Sequence, residues 1–203
     1  MKNKKFVLYP VIAAVLGLTL AGILNMTGVL AYLTNSKDRT NQLTRGYNEV
    51  KITETFPDPE IAPGTNSYTK DVTVKNTGPV PCYVRVFLDF SDDDIRKNSK
   101  VSSNGSTYVT LDALKTTNIP SGWAYVSSPS DKLNSYFYYT SPIDPGASTT
   151  SLIKAVQTTF GDQYDIDDFD IYVYTESIQS LDKNGQPFTG AIPWRSAWEE
   201  YLG

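Results

Sequence analysis

Histidine is absent from this sequence, and cysteine occurs once, as Cys82. Histidine is the commonest general base and the commonest zinc ligand in proteins. Its absence therefore excludes Ser-His and Cys-His catalytic pairs and the two-histidine helix of zinc peptidases. A single cysteine excludes an internal disulfide. Two interpretations of Cys82 remain, a reactive or intermolecular thiol and a small buried residue, and its place at the start of an apolar segment favours the second.

A cluster of basic residues is also missing. The chain has 18 Lys and Arg residues against 22 Asp and Glu residues, which gives a net charge of −4. An acidic chain without a basic patch lacks the electrostatic surface that binds nucleic acid or anionic lipid. We therefore expect no nucleic-acid partner.

The longest apolar run lies near the N-terminus, at residues 6–24, and three lysines precede it. Val29 and Ala31 then occupy positions −3 and −1 of a candidate cleavage site, with Tyr32 after the cut. This order is typical of a secretory signal peptide. The pattern predicts a signal peptide at 1–31, cleavage between Ala31 and Tyr32 by a signal peptidase during export, and a secreted mature chain with a net charge of −7.

A retained membrane anchor is the alternative. At ~1.5 Å per residue, the run at 6–24 nearly spans the ~30 Å of a bilayer's hydrocarbon core. Pro10, Gly17 and Gly22 weaken this interpretation, because they interrupt a stable membrane helix. We expect contact with a membrane only through an uncleaved signal segment.

Alternation of apolar and polar residues predicts β-strands in most of the remaining chain. At residues 83–90, for example, it places Val84, Val86, Leu88 and Phe90 on one face and Arg85 on the other. Residues 92–106 are expected to form a loop, or a short helical turn near 92–97. Residues 191–202 are expected to form a C-terminal helix with Pro193 in its first turn and with Trp194, Ala197, Trp198 and Tyr201 on one face. These elements predict an all-β fold, an antiparallel β-sandwich of jelly-roll type with a short C-terminal helix, in a domain at 46–203. The predicted strands are 47–56, 68–75, 83–90, 107–111, 123–126, 136–140, 151–160 and 169–178. The aromatic run at 136–139 reads as strand residues that alternate in and out, with a carbohydrate or ligand platform as the alternative.

Two groups of carboxylates are candidate calcium ligands, because calcium takes six to eight oxygen ligands. The first is Asp162, Asp165, Asp167, Asp168 and Asp170; the second is Asp92, Asp93 and Asp94. Neither matches the calcium loop of an EF-hand. The alternative is that both are solvated acidic loops, and we expect no other cofactor.

The segment that would follow signal cleavage, residues 32–45, is polar, with Leu33 and Leu43 as its main aliphatic residues. Such a segment is a poor strand in isolation, but a free sheet edge offers unpaired backbone groups to it. It is therefore a candidate donor strand that begins at Tyr32. The alternatives are a leader without fixed structure and a strand paired within its own domain.

The chain resembles the TasA/camelysin family of secreted Gram-positive proteins, which a specialised SipW-type signal peptidase processes. The resemblance spans most of the chain, but residues 92–135 depart from the best-known fibre-forming members. The motifs that carry it are GVLA at 28–31, YLTNSKDRTN at 32–41, GYNEVKI at 46–52, KDVTVKNTG at 70–78, YVRV at 83–86, DPGAST at 144–149, YVYTESIQ at 172–179 and WRSAW at 194–198.

The resemblance implies a non-enzymatic jelly-roll protein of the cell surface or the biofilm matrix. Family members build fibres, and their subunits can join when the new N-terminus pairs with the next subunit. It therefore implies that this chain assembles with itself or with related matrix subunits, through Tyr32, Leu33 and Leu43. A monomeric cell-surface adhesin or accessory matrix protein is the alternative. A metallopeptidase of the camelysin type is a weaker one, because the chain has no histidine.

Overall fold

The predicted β-strands form two antiparallel sheets. The structure is a computed structural model, and it describes residues 48–55, 63–161 and 170–203. Three helices lie in these parts of the chain: α1 (Asp93–Lys97), α2 (Leu111–Leu114) and α3 (Pro193–Leu202). The strands there are β1 (Val50–Thr55), β2 (Gly64–Asn76), β3 (Cys82–Phe90), β4 (Ser99–Ser102), β5 (Trp123–Tyr125), β6 (Phe137–Tyr139), β7 (Ile153–Phe160) and β8 (Ile171–Gln179).

Strand pairing gives the fold its type. Sheet 1 has the order β1-β2-β7-β4, and sheet 2 has the order β5-β6-β3-β8. The pairs are nested: β5 pairs with β6, β4 with β7, and β3 with β8, and successive pairs alternate between the two sheets. This is the pairing of a long hairpin rolled into two layers, which is the jelly-roll arrangement. The predicted fold class is therefore confirmed.

The core between the sheets follows the alternation of the strands. In β3, four alternate residues that were predicted to share one face, Val84, Val86, Leu88 and Phe90, are buried in the core. Residues of the opposite sheet, such as Val74 of β2 and Val156 of β7, meet them there. The expected interior of the sandwich is thus correct, because a side-chain period of two sends every second residue to the same face.

Two predictions between β3 and β5 are wrong. Residues 99–102 were expected in a loop, but they form β4, which pairs with β7 at the edge of sheet 1. Residues 107–111 were expected to be a strand, but only Val109 makes a β-bridge, to Val101. Helix α2 begins directly after Thr110, whose hydroxyl accepts a hydrogen bond from the Ala113 amide. Thr at an N-cap position stabilises a helix start and so ends the extended chain.

Polar residues hold the crossings between the sheets. The Asn76 side-chain amide donates hydrogen bonds to the carbonyls of Val80 and Ile143, both at 2.8 Å. Its side-chain oxygen accepts a hydrogen bond from the Gly78 amide. Gly146 has a φ of +81°, a conformation that favours glycine, and it lies in the turn formed by the Asp-Pro-Gly sequence. These contacts fix where the chain passes between the sheets.

Helix α3 covers part of the outer face of sheet 2, and Pro193 lies in its first turn as predicted. The predicted helix face is also confirmed: Trp194, Ala197 and Trp198 are buried, and Tyr201 packs beside them. Their partners on sheet 2 include Tyr83, Tyr138 and Ile178. This gives the domain a second apolar cluster outside the sandwich interior.

Candidate functional site

The open sheet edges are the parts of this fold suited to strand addition. In the described residues the edges of sheet 1 are β1 and β4, and those of sheet 2 are β5 and β8. Strands β5 and β4 have only three and four residues. The outer side of β4 is also bonded to Val109, through two backbone hydrogen bonds of 2.8 and 2.9 Å with Val101. The two longer edges are therefore β1 and β8.

Strand β8 is the longest edge and lacks the usual protection of an edge strand. Its nine residues pair with β3 without a bulge, from Phe90↔Ile171 to Cys82↔Gln179. It contains no lysine, proline or glycine, and Glu176 is its single charged residue. Natural proteins protect exposed edges with lysine, proline or bulges, because a flat, apolar edge pairs with other chains. In the described part of the chain no strand lies on the far side of β8.

Aromatic side chains cover the open half of sheet 2's outer face, next to this edge. Tyr172 and Tyr174 of β8 are 50% and 39% exposed. Tyr174 stacks on Phe87 of β3, with ring centroids 4.6 Å apart. Tyr136 meets the edges of both of these rings at 6.1 and 6.5 Å. We call Phe87, Tyr136, Tyr172 and Tyr174 the aromatic surface; it is apolar and lies beside β8.

Arg85 separates the aromatic surface from the cluster under α3. Its guanidinium carbon lies 4.1 Å from the ring centroid of Tyr136 and 4.5 Å from that of Trp198. Its Nε donates to Glu176 Oε2 at 2.7 Å, and it also donates to the Tyr138 hydroxyl. Burial opposes the charge on Arg85, but the hydrogen bonds that it donates to Tyr138 and Glu176 outweigh this effect, so the pKa of the guanidinium is raised. The only charge on β8 is thus neutralised within its own domain.

Two separate parts of the sequence meet at the start of β8. The Ser91 amide donates to the Asp170 carbonyl at 2.9 Å, and the Asp170 amide donates to the Ser91 hydroxyl at 3.0 Å. Asp92, Asp93 and Asp94, the second predicted aspartate group, directly follow Ser91 in the sequence. Asp92 caps α1 by accepting from two backbone amides. This end of β8 therefore carries negative charge.

Only some of the predicted calcium ligands lie in the described residues. Asp162, Asp165, Asp167 and Asp168 lie outside the described residues, and Asp170 is exposed. The part of the chain that the structure describes contains no group of three or more Asp, Glu or Cys side chains arranged to hold a metal ion. Calcium binding stays a prediction for the complete acidic loop.

Cys82 is fully buried in the sandwich core. Burial raises the pKa of its thiol to about 12. Because the thiolate is the reactive form of cysteine, the thiol is inert while the domain is folded. The interpretation of Cys82 as a small buried residue is confirmed.

The predicted cleavage site and the predicted donor strand lie outside the described residues. Ala31, Tyr32, Leu33 and Leu43 all fall there, so signal cleavage and strand donation stay predictions. Among residues 48–55, 63–161 and 170–203, no helix has the length and apolar character needed to span a bilayer. The sequence analysis did not identify the contact of Arg85 with Trp198, or β8 as the open edge. The alternation placed Arg85 on the outer face, but no local signal shows which side chains it meets there.

No protein-family model matches the chain, and no curated protein matches it. Among solved structures it is similar to the CBM3a-L domain with flanking linkers from scaffoldin cipA of the cellulosome of Clostridium thermocellum. The identity is 18%, over 68% of this chain and 93% of that chain, with a TM-score of 0.22. A TM-score this low carries no argument about fold or function. The fold therefore rests on the strand pairing described above.

Proposed function

We propose that this protein is a secreted structural subunit of an extracellular matrix of the biofilm type, and that copies join by strand addition. The segment at residues 32–43 would be the joint, donated to the next subunit after signal cleavage. The protein acts by association rather than by catalysis. It would be found outside the cell, in the matrix or at the cell surface.

The observation that supports this proposal is the open edge of β8. A nine-residue edge without lysine, proline or a bulge is an efficient template for another strand. Main-chain hydrogen bonds supply the affinity of such a contact, and alternate side chains supply its specificity. The proposal also agrees with the signal-like N-terminus and with the resemblance to matrix proteins noted above.

Truncation tests the joint directly. The mature chain at 32–203 would be compared with a chain that begins at Arg45, by light scattering over days and by negative-stain electron microscopy. We expect fibres from the longer chain and monomers from the shorter one. Circular dichroism of the shorter chain is the control, because it reports whether the sandwich still folds without the segment.

Two results would contradict the proposal. Fibres of equal yield from both chains would show that the segment is not the joint. Monomers from both chains, at concentrations where matrix proteins assemble, would exclude self-assembly and favour the second candidate function.

The second candidate is a monomeric surface adhesin or accessory matrix protein, and the aromatic surface favours it. Exposed tyrosines such as Tyr172 stack on the apolar faces of sugar rings and of other ligands. Co-sedimentation of the mature chain with insoluble polysaccharides would test this function, with Tyr172→Ala as the variant. Equal co-sedimentation of the two proteins would argue against a role for the surface in binding.

A further inference from the structure

The length of the N-terminal segment fits β8. The segment at 32–45 has 14 residues and, at ~3.3 Å per residue, reaches roughly 45 Å when extended. A nine-residue strand spans only about 30 Å. Arg45 lies five positions before Val50, where β1 begins, and β1 lies next to β8 on the same side of the sandwich. The 14 residues of the segment are therefore enough to cover another copy's β8.

The charges of the segment and of the domain are opposite. Residues 32–45 contain Lys37, Arg39 and Arg45 against Asp38, a net charge of +2. Residues 46–203 contain 12 basic and 21 acidic side chains, a net charge of −9. Opposite net charges steer association and favour one orientation of the partners.

A negatively charged residue lies at one end of β8. Asp170 is exposed, directly precedes the strand and is hydrogen-bonded to Ser91, which Asp92 and Asp93 follow in the sequence. No basic side chain of the described residues pairs with Asp170. Arg45 lies at the C-terminal end of the segment, so an antiparallel alignment brings Arg45 to Asp170. That alignment also continues the antiparallel pairing that all of sheet 2 already has.

From these observations we infer that the occupant of the β8 edge is the N-terminal segment of a second copy, which runs antiparallel to β8 with Arg45 beside Asp170. This inference rests on the proposed function and adds the acceptor strand, the orientation and a charge contact. It has a regulatory consequence, because screening of exposed charges makes assembly depend on ionic strength. Assembly of the mature chain should slow roughly tenfold between low salt and 0.5 M salt.

Disulfide trapping between two populations of the mature chain tests the acceptor and the orientation. Leu43→Cys, which this alignment places opposite Tyr172, is mixed in one population with Tyr172→Cys in the other, and linked dimers are followed after mild oxidation. The native Cys82 does not interfere, because it is buried with a pKa of about 12. Lys100→Cys on the edge strand β4 is the matched control acceptor, and Thr34→Cys is the control donor for a parallel alignment. We expect trapping of Leu43→Cys with Tyr172→Cys to exceed both controls several-fold.

A charge exchange tests the Arg45–Asp170 contact. Arg45→Asp and Asp170→Arg should each slow assembly several-fold, and the double variant should recover most of the rate. Asp144→Arg is a control, because Asp144 is exposed and follows Ile143, which bridges to Cys82 at the end of β3 that pairs with Gln179 rather than at the end near Asp170. If the assembly rate of the double variant is lowered by the combined effects of the two single variants, the proposed contact between Arg45 and Asp170 is contradicted.

The outcomes separate the inference from the proposed function. If the mature chain assembles through its segment but trapping favours Lys100→Cys or Thr34→Cys, the inference is overturned and the proposed function stands. If the mature chain neither assembles nor forms linked dimers with any pair, both are overturned. Trapping at Tyr172→Cys together with rescue by the charge exchange supports both.

Discussion

Arg85 of β3 places its guanidinium carbon 4.5 Å from the ring centroid of Trp198 in α3. The same group lies 4.1 Å from the ring centroid of Tyr136 and is bonded to Glu176. Two aromatic rings and a carboxylate therefore surround one buried cation. This contact joins α3 to sheet 2. It lies between the part of the sheet's outer face that α3 covers and the aromatic surface.

Removal of the Arg85 side chain should destabilise the domain. Its side chain is 8% exposed, and Arg85→Ala leaves Glu176 without its partner and Trp198 without its cation. We expect a loss of about 3 kcal/mol in the free energy of unfolding, because breaking a buried ion pair leaves the remaining charge buried without a partner. Urea denaturation would measure it. Lys97→Ala, which breaks an exposed pair with Asp94, is the control and should leave the free energy of unfolding nearly unchanged.

A methyl group at Gly122 should be harmful. A Cβ there would lie 2.9 Å from Cε2 of the Tyr139 ring, and the backbone φ of +85° disfavours any side chain. Gly105 has a similar φ of +79° but open space around it. Gly122→Ala should therefore lower the melting temperature more than Gly105→Ala, which carries only the backbone cost of about 1 kcal/mol. Equal shifts would show that the Tyr139 ring moves aside freely.

The stability contributed by Asp131 should depend on pH. Its carboxylate accepts hydrogen bonds from Arg195 of α3 and from the Leu133 amide, and these lower its pKa below the usual 3.8. A lowered pKa contributes stability that is present above pH 3.8 and is lost as the pH falls through the folded-state value. Asp131→Asn should therefore destabilise the domain at pH 7 and have little effect near pH 2. A destabilisation of equal size at both pH values would contradict this prediction.

The buried Cys82 should not react in the folded domain. With a thiol pKa of about 12, it carries almost no thiolate at pH 8. Labelling by a thiol reagent should follow the rate of unfolding and become rapid in denaturant. Stoichiometric labelling of the native protein within minutes would show that the thiol is accessible.

Calcium binding by Asp162, Asp165, Asp167, Asp168 and Asp170 should raise the melting temperature. A ligand at ten times its dissociation constant stabilises the folded state by about 1.4 kcal/mol, which corresponds to about 3 °C for a domain of this size. Calorimetry with millimolar calcium, with Asp167→Asn as the variant and magnesium as the control cation, measures the shift. A melting temperature that calcium leaves unchanged would identify this loop as a solvated acidic segment.

The sequence by itself determined the layers of this protein. The period-two pattern of Val84, Val86 and Leu88 required a half-buried strand, because alternate side chains point to opposite faces of a sheet. The spacing of Trp194, Ala197 and Trp198 required one buried helix face for the corresponding reason. Both signals are local, so they are readable without knowing which elements meet.

Only the tertiary structure decided what depends on pairing between distant segments. Strand β4 has too few apolar residues to be recognised from the sequence. It is extended because its backbone pairs with that of β7. The contact of Arg85 with Trp198, the hydrogen bond of Ser91 to Asp170, and the open position of β8 follow from the order of strands in the sheets. That order is set by the burial of the whole core rather than by a local pattern.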